Sequence, residues 1–258
     1  MIQDFLDFSD RLTASLSERD DVLGLIFLGS AAQTDRVDEW SDHDFFVIVK
    51  DGNAEQLRQD LSWLPDHNQI VISPRETQHG LKVVYEDGHV LEFAVFDNHE
   101  LDTVTANVFV VTIDRDDIFK RIDAAAQRSV PKPVDEKTEF ELFLSQLLIG
   151  VGRARRGETL TAGQFIRAYC VNHVLGLLRI WAAPIAGTET GQDSFNRFRR
   201  FEWQHPELAA RLEELQQLPV EASAKGLLHL VLEIGADSLS DEQLHQVYVV
   251  RHRLGWRA

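Results

Sequence analysis

Apolar positions in the first half of the chain come in short blocks, and their spacing changes from block to block. From Phe5 to Leu16 they recur at helical intervals, with Phe5, Phe8, Leu12 and Leu16 on one face. Val22–Leu28 is an unbroken apolar run of strand length, and Phe45–Val49 is another. Ala54–Trp63 has the pattern of a second helix. Leu81–Tyr85 and Val90–Phe96 flank Glu86-Asp87-Gly88-His89, and an Asp-Gly pair between two strand patterns predicts a hairpin. Val108–Ile113 predicts a further strand and Arg115–Ala126 a helix.

The pattern changes after Pro131-Lys132-Pro133, the expected boundary between two domains. Beyond it the spacing is helical over Glu139–Arg155, Ala162–Ala182, Pro206–Leu218, Ala222–Gly235 and Asp241–Leu254. Ser240 followed by Gln243 predicts a capping box for the last helix, and Pro206 suits a first helical turn. The chain therefore reads as α+β. Residues 1–130 should form a small mixed sheet with flanking helices, and residues 131–258 a helical bundle. Trp181, Trp203, Phe195, Phe198 and Phe201 are expected to build that bundle.

Composition narrows the function. The 258 residues are 44% hydrophobic and carry a net charge of −16, which argues against a broad nucleic-acid surface. Residues 1–130 hold 26 acids against 11 bases, a net of −15; residues 131–258 hold 16 against 15, a net of −1. An acidic first half suits divalent cations or a cationic substrate, although on charge alone a solvated acidic surface is the better account. One cysteine, Cys170, excludes an internal disulfide and a cysteine-based metal cluster. No apolar run approaches the length of a membrane span, and the acidic N-terminus does not resemble a signal peptide. A cytoplasmic protein without membrane partners is expected.

Leu28-Gly29-Ser30 closes a strand pattern, and Asp42-His43-Asp44 follows after an 11-residue spacer. Glycine lets the backbone approach a ligand closely, and a helix opening at Ser30 would offer N–H groups and a hydroxyl to phosphate oxygens. Asp42 and Asp44, two apart, should share one face of a strand, with His43 on the other. Like charges at that spacing repel unless a cation lies between them, and hard carboxylate oxygens suit Mg²⁺. A third acid, Glu92, stands alone within the apolar strand pattern Val90–Phe96. A metal on the neighbouring strand or an ordinary salt bridge would both explain it.

These residues resemble the signature of the DNA polymerase β-like nucleotidyltransferases. That signature is Gly-Ser, a spacer, an Asp-x-Asp pair entering a strand, and a later strand acid. Within that superfamily the chain is most similar to bacterial lincosamide and aminoglycoside nucleotidyltransferases. The resemblance implies Asp42, Asp44 and Glu92 as catalytic and metal-binding residues. It further implies two Mg²⁺ ions, a nucleoside triphosphate held at Gly29 and Ser30, and a small-molecule acceptor, of cationic character if the acidic half lines the site. Relatives carry a base soon after Gly-Ser; here Ala31-Ala32-Gln33 follows, and the first base is Arg36. Arg155 and Arg156, with Arg153, precede Gly157-Glu158 where relatives place a phosphate-binding base. The same cluster also fits a helix C-terminus closed by glycine. A different reading comes from Arg167 and His173, whose Arg-x₅-His spacing resembles the motif of HEPN-type RNases found in toxin–antitoxin systems.

Overall fold

The computed structural model describes residues 2–128, 133–188 and 196–256. Two compact units divide it, residues 1–130 and 131–258. Pro131 and Lys132 at the expected boundary, and Phe195 among the expected core aromatics, lie outside the described residues.

The first unit is an α+β layer. Helix α1 (Ile2–Ser17) precedes strand β1 (Val22–Leu28), the single turn α2 (Gly29–Ala32) and β2 (His43–Val49). Then come α3 (Ala54–Gln59), the short β3 (Ile70–Ile72), β4 (Gly80–Tyr85), β5 (Val90–Asp97), β6 (Phe109–Asp114) and α4 (Ile118–Arg128). The six strands form one mixed sheet in the order β3-β4-β5-β2-β1-β6. Among the described strands, only β2 and β5 pair in parallel. The hairpin predicted around Asp87-Gly88 joins β4 to β5.

Apolar side chains cover both faces of the sheet, which is why its central strands read as unbroken apolar runs. On one face Phe5, Phe8, Leu12 and Leu16 of α1 pack on Leu25, Phe27, Phe45, Leu91 and Phe93. The Phe45 and Phe93 rings stack in parallel 4.9 Å apart. On the other face Ile118 and Ile122 of α4 pack on Ile26, Ile48, Ala94 and Phe96. Burial of each such side chain contributes roughly 1.5–3 kcal/mol relative to exposure.

The second unit is helical: α5 (Glu136–Arg155), α6 (Thr159–Gln164), a π-helical turn (Phe165–Cys170), α7 (Val171–Trp181), α8 (Phe201–Gln204), α9 (Pro206–Gln217), α10 (Val220–Ile234) and α11 (Asp241–Leu254). Its core is its own, built from Phe140, Phe143, Leu147, Val174, Leu177, Leu227 and Val231 among others. Cys170 is buried there, its thiol donating to the Phe143 carbonyl at 3.7 Å. The predicted capping box is present: Gln243 N–H donates to Ser240 Oγ at 3.3 Å, and Ser240 N–H donates to Gln243 Oε1 at 2.9 Å. Phe201 is buried and Trp181 packs against the core, but Phe198 and Trp203 are exposed, contrary to expectation. The Arg200 guanidinium lies 5.5 Å over the Trp203 ring, so that aromatic is held from the solvent side.

Candidate active site

Strand pairing brings the sequence motif together. In the β1–β2 register Leu28 stands opposite Asp44, so the chain leaves β1 at Gly29 beside the Asp44 carboxylate. Gly29 has φ +53°, and a Cβ there would lie 2.5 Å from Asp44 Oδ2. Only glycine meets both demands, the left-handed backbone and the close approach. Ser30 Oγ then donates to the Asp42 carbonyl at 3.1 Å, tying the turn to the start of β2. The spacer between them is anchored by the buried Val37 and by a small turn in which Asp38 accepts from Trp40 N–H at 2.9 Å. The helix expected at Ser30 is four residues long. So short a helix has little macrodipole, and the Ser30 hydroxyl already gives its one proton to the Asp42 carbonyl, so an anion at this turn would meet backbone N–H groups first.

Asp44 pairs with Glu92 in the parallel β2–β5 register. Parallel strands in register present equivalent faces, so both side chains leave the sheet on the side covered by α4, and Asp42 follows at period two. One carboxylate oxygen from each of Asp42, Asp44 and Glu92 lies within 4.8 Å of the others. Asp42 and Asp44 are half-buried and Glu92 is exposed. Three anionic oxygen donors at this separation fit a hard divalent cation, the donor set that Mg²⁺ prefers.

His43 points to the opposite face and is fully buried. It stacks on Phe5 with ring centroids 3.6 Å apart, and Nε2 lies 3.2 Å from the Phe5 carbonyl and 2.9 Å from Ser9 Oγ. Its Nδ1 meets His89 Nε2 at 2.7 Å. A carbonyl can only accept, so Nε2 carries the proton and Nδ1 accepts from His89. Burial, reinforced by the neighbouring His89, pushes the His43 pKa down to about 3. The pair thus forms a neutral support beneath the acids rather than a metal ligand.

Sequence reasoning missed Lys82. The β4–β5 register sets it opposite Glu92, with Nζ 3.7 Å from Glu92 Oε2 and 3.1 Å from Glu76 Oε1. Counting back from the Asp87-Gly88 turn pairs Val84 with Val90 and hence Lys82 with Glu92, so the signal was present in the hairpin.

In the helical unit, α5 ends as the capping alternative required. Gly157 has φ +81°, and Glu158 N–H donates to the Arg153 carbonyl at 3.0 Å. Arg155 forms a bidentate pair with Glu221 at 2.6 and 3.1 Å and also donates to the Leu254 carbonyl at 2.7 Å. This pairing holds the Glu221 carboxyl down at about 2. Arg153 and Arg156 both reach Glu158, at 2.6 and 3.1 Å, and Arg156 remains 61% exposed. Arg167 donates to the Gln216 and Leu218 carbonyls at 2.8 and 3.0 Å. His173, with a side chain only 14% exposed, bonds instead to Glu139 at 2.7 Å. The two residues of the RNase-like spacing therefore serve different structural contacts.

No protein-family model and no curated protein matches the chain. Among solved structures it is similar to an aminoglycoside 6-adenyltransferase from Bacillus subtilis, at 12% identity over 95% of this chain and 96% of that one, with a TM-score of 0.37. It is also similar to a nucleotidyltransferase-like protein from Exiguobacterium sibiricum, at 14% identity over 96% and 88%, with a TM-score of 0.34. A third similarity is to CdnC from E. coli, in a complex with HORMA-deltaN, at 14% identity over 99% and 91%, with a TM-score of 0.33. Similarities at this level carry no weight for function, which rests on the carboxylate geometry.

Proposed function

We propose that this chain is a nucleotidyltransferase of the DNA polymerase β-like kind, moving a nucleotide, AMP from ATP in the first instance, onto a hydroxyl of a small molecule. The observation that carries the reading is the convergence of Asp42, Asp44 and Glu92 beside the Gly29-Ser30 turn. Asp42 and Asp44 would hold two Mg²⁺ ions, with Glu92 completing one site. When bound, Mg²⁺ would neutralise phosphate oxygens and make a nearby hydroxyl more acidic. The backbone N–H groups at Gly29 and Ser30 hold the phosphates, joined by the Ser30 hydroxyl once it releases the Asp42 carbonyl. Glu92, the most open of the three acids, takes the proton of the acceptor hydroxyl. The acceptor oxygen bonds to the α-phosphorus as the bond to the bridging oxygen breaks, and that electron pair leaves with pyrophosphate. In the helical unit Arg155 is held by Glu221 and Arg156 by Glu158, so either would have to exchange that carboxylate for a phosphate to bind nucleotide.

Residues 1–130 are thus assigned catalysis and residues 131–258 acceptor binding. A recess of about 340 Å³ between α7, α8 and α9 supports the second assignment. Val171, Leu175, Phe201 and Leu212 line it together with the carboxylates of Glu202 and Glu213, a lining that suits an organic cation with an apolar body. Lincosamides, with one basic amine and an alkyl chain, fit that description; aminoglycosides would meet only its carboxylates. The test incubates the protein with ATP, Mg²⁺ and a panel of hydroxylated antibiotics and metabolites, reading pyrophosphate release. Release with a cationic acceptor, lost without Mg²⁺ and in Asp44→Asn, is expected. Silence across the panel with all four nucleoside triphosphates, together with no nucleotide binding by calorimetry, sinks the reading.

A further inference from the structure

The reaction above leaves Lys82 unused. It stands on β4, and the strand order β4-β5-β2-β1 puts it on the opposite flank of the acids from Gly29-Ser30, which follow β1. If phosphates bind at Gly29-Ser30, an in-line displacement brings the acceptor in from the other flank, where β4 lies. Lys82, Glu92 and Glu76 are comparably exposed, at 41%, 49% and 49%, so their arrangement and not burial sets the interaction. Glu76 is placed by a tight turn: its N–H donates to the Gly80 carbonyl at 2.9 Å, and Gly80 N–H donates to Thr77 Oγ1 at 2.8 Å. Lys82 therefore sits between two carboxylates, one fixed by a turn and the other belonging to the acidic triad.

Resting on the nucleotidyltransferase reading, we propose that Lys82 is a positioning residue that competes with the divalent cation for Glu92. Without a cation in the triad, the ammonium holds Glu92 on the acceptor flank and offsets the repulsion among three carboxylates. With a cation bound, Glu76 retains the ammonium, and Glu92 turns to the metal and the acceptor proton. A positive charge 3.7 Å from one ligand oxygen weakens binding of a second cation at the triad. Removing that charge while keeping the side-chain length should therefore tighten metal binding, whereas a purely structural lysine would change only the melting temperature.

The experiment titrates Mn²⁺ alone into the full chain by calorimetry, comparing the native protein with Lys82→Met, Lys82→Arg and Asp44→Asn. Lys82→Met should bind Mn²⁺ roughly threefold to tenfold more tightly, with the difference shrinking at high salt. Lys82→Arg should stay near the native affinity. In the transfer assay Lys82→Met should raise KM for the acceptor and leave KM for the nucleotide unchanged. If Asp44→Asn loses Mn²⁺ binding while Lys82→Met binds with native affinity, the competing role is overturned and the nucleotidyltransferase reading stands. If Asp44→Asn binds Mn²⁺ as the native protein does, the metal site itself fails, and the role of Lys82 fails with it.

Discussion

Gly29 sets how closely the backbone can approach Asp44. Gly29→Ala has to adopt a left-handed φ and place a methyl 2.5 Å from a carboxylate oxygen. The strain alone should cost about 1–2 kcal/mol, lowering Tm by a few degrees in calorimetry. Transfer activity should fall far more, because the carboxylate must move to admit the methyl; an alanine variant with native turnover would show that the close approach is incidental. Asp44→Asn separates folding from catalysis. Neutralising one of three crowded acids relieves repulsion, so the apo protein should melt at or slightly above the native temperature. Native protein should then gain more than the variant from added Mg²⁺ and ATP in thermal melts, since ligand binding stabilises by mass action. Equal gains would remove Asp44 from the metal site. These positions were readable because strand periodicity fixes which side chains share a face. Glu139 was not readable in the same way. It is buried in α5, where Arg197 binds it in bidentate fashion at 2.6 and 2.8 Å, 58 residues away in sequence, and His173 adds a third bond. Burial pushes its carboxyl up, but the bonds from Arg197 and His173 outweigh that and leave it below the usual carboxylate range. No local pattern announces such a pairing.

Among the strands, β2 carries chemistry on one face and a buried histidine on the other. The folded chain refuses a proton at His43 until about pH 3, whereas an unfolded histidine accepts one near its ordinary value of 6.5. The stability this contributes is complete above about pH 6.5 and is lost as pH falls toward 3, on the order of 5 kcal/mol at most. Urea midpoints measured from pH 7 to 4 should fall steeply for the native protein and less steeply for His43→Gln, which keeps polar partners but does not titrate. Parallel curves for the two proteins would dissociate the acid sensitivity from His43. Long, strongly periodic segments such as α1, β1 and α11 were legible because each buries a face that repeats along the sequence. Three-residue β3 and four-residue α8 are too short to show a period. The expected start of α4 at Arg115 moves to Ile118 because Asp116 and Asp117 take left-handed backbone angles. The single helix expected over Ala162–Ala182 contains a π-helical turn at Phe165–Cys170, whose wider winding leaves the apolar spacing nearly unchanged.

Each unit is stabilised by its own buried clusters, two in the first and one in the second among the described residues, and the units share no cluster residue. Substitutions in one core should therefore leave the other undisturbed. Glu139→Gln breaks a mostly buried ion pair and should destabilise the helical unit by about 2–3 kcal/mol. Mn²⁺ affinity at Asp42, Asp44 and Glu92 should not change; a weakened metal site in Glu139→Gln would reveal coupling that the separate cores do not anticipate. The charge contrast between the halves, −15 against −1, was legible from composition, but the positions of the acids that matter followed only from strand register. Cys170 offers a different kind of handle on the helical unit. It is the chain's sole thiol, it is fully buried in the π-helical turn, and burial pushes its pKa well above the ordinary range. A thiol-reactive dye can therefore modify it only when α5 and α7 part, and the native sequence already contains a single-site chemical clock. The labelling rate counts openings of that core one molecule at a time, with no engineered probe and no competing cysteine to subtract.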